Sequence, residues 1–116
     1  MISYLARGRS RRASRHNECM VVGVLHLTLA LPASESLKDK RQVVQSVIAR
    51  VRNQFNVAAA EVDTLDDRRL ATLGFSCVSN DARHVEPMLA RVLAFVESTR
   101  LEAEVTDYAV EVIPIA

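Results

Sequence analysis

The spacing of apolar residues changes regularly along this chain, and that change constrains the fold more than any other feature. From Val21 to Leu31 leucines recur at every second position, which is typical of a β-strand with one buried face. From Leu37 to about Phe55 apolar residues recur every three or four positions, which is typical of an amphipathic helix. Ser36 is a suitable N-cap for that helix. The first half of the chain therefore predicts a strand followed by a helix.

The second half of the chain repeats the two spacings. Alternating apolar residues predict strands in 56–63, 71–79 and 103–113. A helical spacing begins after Asn80 or Asp81, and either residue could cap this second helix. The order of elements is therefore β-α-β-β-α-β.

This order predicts an α+β domain. With helices of this length and right-handed crossovers, the economical arrangement is a ferredoxin-like fold, in which a four-stranded antiparallel sheet of order 4-1-3-2 carries both helices on one face. The side chains expected to face the helices alternate in the strands and follow the helical period in the helices. They include Leu25, Leu27, Leu29, Val44, Val47, Val51, Leu73, Phe75, Cys77, Val85, Leu89, Val92, Tyr108, Val110 and Val112.

Length and charge divide the chain into two parts. A chain of 116 residues is near the usual size of one domain, which we place at 20–116. The charged residues of the segment 1–19 are Arg7, Arg9, Arg11, Arg12, Arg15 and Glu18. This segment therefore carries +4, and since the whole chain carries +1, the domain carries −3. The segment is a disordered basic arm or the result of a misassigned start, and both explanations stay open.

The cysteines and the hydropathy pattern predict a cytoplasmic protein. Cys19 and Cys77 are too few for a disulfide framework, which suits a reducing compartment. The apolar stretch 20–31 is too short to span a membrane, and its alternation with polar residues argues against a secretory signal. We therefore expect no membrane partner.

The start of the first helix is unusually basic. Helix starts carry positive partial charge and disfavour bases, yet "SLKDKR" (36–41) contains several. In the expected topology this helix start lies beside the loop "TLDDRRL" (64–70). We predict an anion- or RNA-binding surface formed by Ser36, Lys38, Lys40, Arg41, Arg52, Arg68 and Arg69. The alternative is a solvated surface whose cations pair loosely with Asp39, Asp66 or Asp67.

The sheet face opposite the helices is a second candidate surface. Its expected outward positions are Val24, His26, Thr28, Glu61, Asp63, Thr72, Gly74, Ser76, Asp107, Ala109 and Glu111. None of these residues is aromatic and the charged ones are acidic, so this face is not expected to stack bases as RNA-recognition sheets do. Its small, apolar and polar side chains suit a homodimer contact or a partner protein.

No set of residues predicts catalysis, a metal centre or a cofactor. His26 with Asp107 or Glu111 could in principle act in acid–base chemistry or bind a metal, but no third ligand or nucleophile accompanies them. The glycines are isolated, so the sequence contains no glycine-rich phosphate loop. We therefore predict a protein that is not an enzyme.

Several strings of residues, in this order and spacing, resemble the YlxP-like family, also known as domain of unknown function 503. They are "MVVGVL", "SLKDKRQVV", "FNVAAAEVD", "ATLGFSCVSND" and "HVEPML". The resemblance runs from Met20 to about Ile113, and its most specific part is the string at 36–41. The sequence departs from the family in its basic arm and in Pro87, for which we expect a bent or delayed first turn of the second helix.

The resemblance implies a small bacterial cytosolic protein with a ferredoxin-like fold and no established catalytic activity. Genes of this family commonly lie among those for transcription elongation, translation initiation and ribosome maturation factors, which implies a role near RNA or the ribosome. We therefore predict an accessory protein that binds structured RNA or a ribosomal particle through its basic edge. The alternative is a homo-oligomeric scaffold or protein-binding adaptor that uses the open sheet face.

Overall fold

Strands and helices follow one another in the order that the apolar spacing predicts. The computed structural model describes residues 20–99 and 102–115, so the predicted arm at 1–19 lies outside the described residues. The elements are β1 (Met20–Ala30), α1 (Leu37–Gln54), β2 (Ala58–Glu61), β3 (Leu70–Ser79), α2 (Ala82–Ser98) and β4 (Glu104–Ile115). Neither helix is long and apolar enough to cross a membrane.

The strands form one antiparallel sheet in the order β2-β3-β1-β4. Counted from the β4 edge, the same order is 4-1-3-2, with β1 and β3 in the centre. β1 pairs along its length with β3 and β4, and its register with β4 shifts between Thr28 and Leu29, as at a β-bulge. The predicted α+β class, with a four-stranded antiparallel sheet and two helices, is confirmed.

Both helices cover the same face of the sheet and share one apolar core with it. The centre of this core is β1, whose Leu25, Leu27 and Leu29 are buried. The other buried members are Val21, Leu31, Val44, Val47, Val51, Ala71, Leu73, Phe75, Cys77, Val85, Leu89, Val92 and Val96. Burial of a side chain of this size stabilises the fold by about 1.5–3 kcal/mol. The opposite face of the sheet has no helix of the described residues on it.

Side-chain caps determine where both helices begin. Ser36 Oγ accepts a hydrogen bond from the backbone N–H of Asp39 at 3.0 Å, as expected for an N-cap. At α2 the cap is Asp81, whose Oδ1 accepts from the N–H of Arg83 at 2.9 Å. Pro87 lies inside α2, but the cap starts the helix at residue 82, well before the missing N–H of the proline. The first turn of α2 is therefore not delayed.

The facing of β2 differs from the prediction. Glu61 pairs with Leu73, which is a core residue, and directly paired residues of antiparallel strands share a face. Glu61 therefore lies on the helix side of the sheet, and its predicted place on the open face is wrong. Ala58 and Ala60 take the outward positions, and Asp63 follows the end of β2.

The facing of β4 matches the prediction, but its burial does not. Tyr108 and Val110 pair with Leu27 and Leu25, so they lie on the helix side as expected. Tyr108 is nevertheless 55% exposed and Val110 is 36% exposed. The reason is that β4 is an edge strand of the described sheet and pairs only with β1 within it, so its helix-side surface is only partly covered.

Gly23 is a point of close approach between β1 and α2. A Cβ atom added there would lie 2.2 Å from Val85 Cγ1 and 3.0 Å from Leu89 Cδ1. Both side chains belong to the packed core, and Val85 is β-branched and stiff, so neither can move aside easily. The absence of a side chain at Gly23 therefore permits this helix-to-sheet distance.

We expect Gly23→Ala to lower the free energy of unfolding by about 1–3 kcal/mol, because the overpacked core must shift. The matched control is Gly74→Ala, whose added Cβ would meet Val62 Cγ1 at an ordinary 3.5 Å. Urea denaturation followed by circular dichroism measures both changes. Equal stability of the two variants would contradict the close approach of α2 at Gly23.

Candidate nucleic-acid interface

Lys40, in the first turns of α1, is a fully buried member of the predicted site. Its Nζ forms an ion pair with Glu61 Oε2 at 2.7 Å. Nζ also donates to the backbone oxygen of Thr64 and to that of Leu70 at 3.2 Å, and the oxygen of Leu65 lies 3.5 Å away. The prediction that Lys40 contacts an external anion is therefore wrong, because acceptors of the protein itself surround its ammonium group.

Hydrogen bonds to the backbone oxygens of Thr64 and Leu65 make Lys40 a structural link between α1 and the β2–β3 loop (62–69). A buried ammonium group is tolerated only when it is paired and hydrogen-bonded, and Lys40 has both kinds of partner. Thr64 extends the network, since its Oγ1 donates to Glu61 Oε2 at 3.3 Å and accepts from the N–H of Thr72 at 2.7 Å. This network holds the loop against the start of α1.

Glu61, the ion-pair partner of Lys40, is absent from the predicted site, although the sequence contains a signal for it. Lys40 lies about one and two helical turns before Val44 and Val47, and therefore on the buried stripe of α1. A lysine at such a position requires a carboxylate or carbonyl partner nearby. A lone acid at the end of a short strand of alanines is the candidate that this requirement would have found.

The cap of α1 occupies part of the predicted anion site. Ser36 Oγ holds the N–H of Asp39, and Asp39 Oδ2 accepts from the N–H of Glu35 at 3.1 Å. A carboxylate at a helix start occupies the region where an external anion would otherwise be attracted. Ser36 is therefore a capping residue, and the helix start is not an open anion pocket.

The other predicted cations are exposed, and we call them the basic surface: Lys38, Arg41, Arg52, Arg68 and Arg69. Among residues 20–99 and 102–115, no carboxylate lies within 4.0 Å of their charged nitrogens. Arg69 joins the loop to the segment before α1, because its Nε donates to the oxygen of Ser34 at 3.1 Å and its oxygen accepts from the N–H of Leu31 at 2.8 Å. The structure therefore brings the loop cations close to the start of α1.

Two acids near the basic surface bind backbone N–H groups instead of its cations. Asp67 Oδ1 accepts from the N–H groups of Arg69 and Leu70 at 2.8 and 3.1 Å, and Asp39 takes part in the helix cap. The alternative to an anion site is a solvated surface whose cations pair loosely with Asp39, Asp66 or Asp67. No such ion pair occurs within the part of the chain that the structure describes.

The start of α2 lies at the opposite end of the sheet from the start of α1. Its cations, unlike those of the basic surface, are paired with a carboxylate. Arg83 Nη2 lies 2.9 Å from Asp81 Oδ2, and His84 Nε2 lies 4.0 Å from the same oxygen. Hydrogen bonds from the side chain and backbone of Arg83 lower the pKa of Asp81 to about 2. The charges at this end therefore largely cancel.

His26 forms no ion pair with Asp107 or Glu111, which lie diagonally from it on the same face of the sheet. His26 lies between Gly74 and Ala109 in the sheet register, so its direct neighbours are not carboxylates. In the described ranges, no three His, Cys, Asp or Glu side chains are close enough to hold a metal ion. Burial raises the pKa of the Cys77 thiol, which makes it a poor nucleophile at neutral pH.

The fold and the basic surface together define a class of small α+β protein: a four-stranded antiparallel sheet with two helices on one face and cations around the first helix. The sequence profile described as "Protein of unknown function (DUF503)" matches residues 22–110, and the chain belongs to that family. The chain is 40% identical over 63 residues to the uncharacterized protein YlxP of Bacillus subtilis (strain 168), an alignment that covers 54% of this chain and 68% of that protein. The resemblance to the YlxP-like family is therefore confirmed.

We expect Lys40→Met to lower the free energy of unfolding by about 3–5 kcal/mol, because Glu61 is left as a mostly buried carboxylate without a partner. The double variant Lys40→Met with Glu61→Leu should recover part of this loss, since it removes both charges. Lys38→Met is the matched control, because Lys38 is exposed in the same helical turn, and its effect should stay within about 0.5 kcal/mol. If urea denaturation finds Lys40→Met as stable as this control, the structural role of Lys40 is wrong.

We expect Arg83→Ala to raise the pKa of Asp81 from about 2 towards its ordinary value of 3.8, because the hydrogen bonds from the Arg83 side chain are lost. In the wild-type protein the depressed pKa means that ionised Asp81 stabilises the fold above about pH 4, and that this contribution disappears as the pH falls through about 2. Titration of the carboxylate by NMR measures both midpoints. The same midpoint in both proteins would show that Arg83 does not act on Asp81.

Proposed function

We propose that this protein is a cytoplasmic, non-enzymatic accessory protein that binds structured RNA or a ribosomal particle through the basic surface. The observation that carries the proposal is that these cations are exposed and form no ion pair with a carboxylate of the described residues. Arginine and lysine side chains that no carboxylate neutralises are available to phosphate oxygens. Burial of Lys40 and the capping role of Ser36 leave both residues out of this surface.

The geometry of α1 supports a ligand with many phosphates. Lys38, Arg41 and Arg52 fall within about a quarter turn of one another at ~100° per residue. Between the first and last of them the helix rises by about 20 Å at ~1.5 Å per residue. A nucleic-acid backbone presents several phosphates over this distance. We therefore favour an extended polyanion over a single small anion.

Contacts of this kind position a nucleic acid without reading its sequence. The open sheet face carries no Phe, Tyr or Trp side chain among its described positions and its charged residues are acidic, so we do not expect base stacking there. The βαββαβ order with both helices on one face further supports assignment to the ferredoxin-like type of fold. A buried, unreactive Cys77 is compatible with a reducing cytoplasm.

The test is the affinity for RNA as a function of salt concentration. We expect a labelled RNA hairpin to bind at low salt, and about five phosphate contacts should weaken binding by about 10²- to 10³-fold between 50 and 200 mM salt. Lys38→Glu with Arg41→Glu should abolish binding, because it places two acids in the centre of the basic surface. Fluorescence anisotropy of the hairpin measures both effects.

Arg50→Glu with Arg91→Glu is the matched control for this experiment. It makes the same change in net charge at exposed helical positions outside the basic surface. We expect the control to retain most of its affinity, since phosphate contacts depend on local charge at ionic strengths near 0.15 M. Equal loss of binding in both double variants would show that net charge, and not the basic surface, determines the affinity for RNA. Unchanged binding in Lys38→Glu with Arg41→Glu would show that the basic surface does not bind RNA.

A further inference from the structure

We infer that the open face of the sheet binds a second copy of this chain, in a contact centred on a group of apolar residues at one end of the face. We call this group the apolar end, and it consists of Met20, Val22, Val78, Ile113 and Ile115. The inference concerns a face opposite the helices, and it does not depend on the proposed RNA binding.

The strand register brings the members of the apolar end together. Val22 of the central strand β1 pairs with Val78 of β3 on one side and with Ile113 of β4 on the other. In the next row Met20 pairs with Ile115. Paired residues share a face of the sheet, so these side chains form two adjacent rows with no polar or charged member.

The apolar end is exposed to an unusual degree for side chains of its type. Val78 is 67% exposed, Met20 44% and Ile115 42%. These are large fractions for side chains that lie side by side in a regular sheet and not singly on the surface. A contiguous exposed apolar patch is typical of an interaction site.

The remainder of the open face has the composition of an interface rim. Along β1 and β3 the outward positions after the apolar end are Val24, His26, Ser76 and Gly74, which include no acid, lysine or arginine. The charged outward residues of the described strands lie on the edge strand β4, at Glu104, Asp107 and Glu111. The described outward positions on the central strands therefore carry no acid, lysine or arginine, and the charges lie at one edge, as the core and rim of a protein–protein contact are arranged.

The size of the face fits a dimer of ordinary size. Four strands spaced by about 4.8 Å give a width of about 19 Å, and the length of β1 at ~3.3 Å per residue is about 36 Å. The projected area of the face is therefore about 600 Å², because β2 is shorter than the other strands. The accessible area is larger, since side chains project from the sheet, and it approaches the ~800 Å² per partner of a standard interface. A contact that covers most of the face reaches this size.

A second copy fits the face better than a nucleic acid or an unrelated protein. The described outward positions carry no lysine or arginine, so phosphate finds no attraction there. A two-fold contact places one apolar end against the other, which is the self-complementary surface that a symmetric dimer requires. Two sheets can then pack at about 10 Å with their inner side chains interdigitated. The helices, and with them the basic surface, stay on the outside of such a dimer.

Sedimentation equilibrium of the 116-residue chain tests the inference. We expect a mass twice the single-chain value of 12.9 kDa for the wild-type protein. Val78→Glu should raise the dissociation constant of the dimer by at least about tenfold, because two carboxylates enter an apolar contact. Ile115→Glu is a second variant with the same expectation, at the end of β4, where a charge disturbs the folded chain less. Circular dichroism confirms that each variant is folded.

Tyr108→Glu is the matched control, because Tyr108 is an exposed large side chain on the other face of the same sheet. It should leave the dimer intact. If the wild-type protein has the mass of a single chain at all concentrations tested, the inference is overturned. A dimer that resists both Val78→Glu and Ile115→Glu would overturn it as well. Dissociation by Tyr108→Glu alone would show that the copies meet through the β4 edge.

Discussion

The enclosed ammonium group of Lys40 is the interaction on which the candidate interface depends. A charge without access to water is costly unless acceptors replace the lost hydration, and here a carboxylate and backbone oxygens of the β2–β3 loop do so. The loop has little apolar burial of its own, since most of its residues are exposed. Its position beside α1 therefore rests largely on polar contacts. The distance between the cations of the loop and those of the helix depends on this link, together with the hydrogen bonds that join Arg69 to Ser34 and Leu31.

The two faces of the sheet have different physical roles, and β1 connects them. Towards the helices β1 contributes fully buried leucines. Gly23 on the same face has no side chain, and α2 can therefore approach the sheet closely there. Towards the open face it contributes Met20 and Val22 at its start, and Val22 lies between Val78 of β3 and Ile113 of β4. A strand segment that is apolar on both faces is typical of a sheet covered on both sides.

The order of elements, the sheet class and most of the core could be predicted because they depend on periodicity, which is a local property of the sequence. The caps at Ser36 and Asp81 could also be predicted from the sequence, because a cap binds the backbone of residues that follow within one turn. The burial of Lys40 cannot be predicted from its charge alone, because it depends on an ion pair with Glu61, which lies far along the chain. The exposure of Tyr108 depends on β4 being an edge strand, and alternation within β4 predicts only which face the side chain takes.

The contrast between the two lysines also affects how the molecule can be handled. Lysine occurs in the sequence at positions 38 and 40 only, and the structure exposes the first and encloses the second. Acylating reagents need an accessible amine, so in the folded domain they can reach Lys38 and not Lys40. A sensor surface or dye that couples through lysine side chains would therefore attach beside the arginines of α1, and would mask the basic surface. Attachment by a tag far from α1 keeps that side of the molecule free.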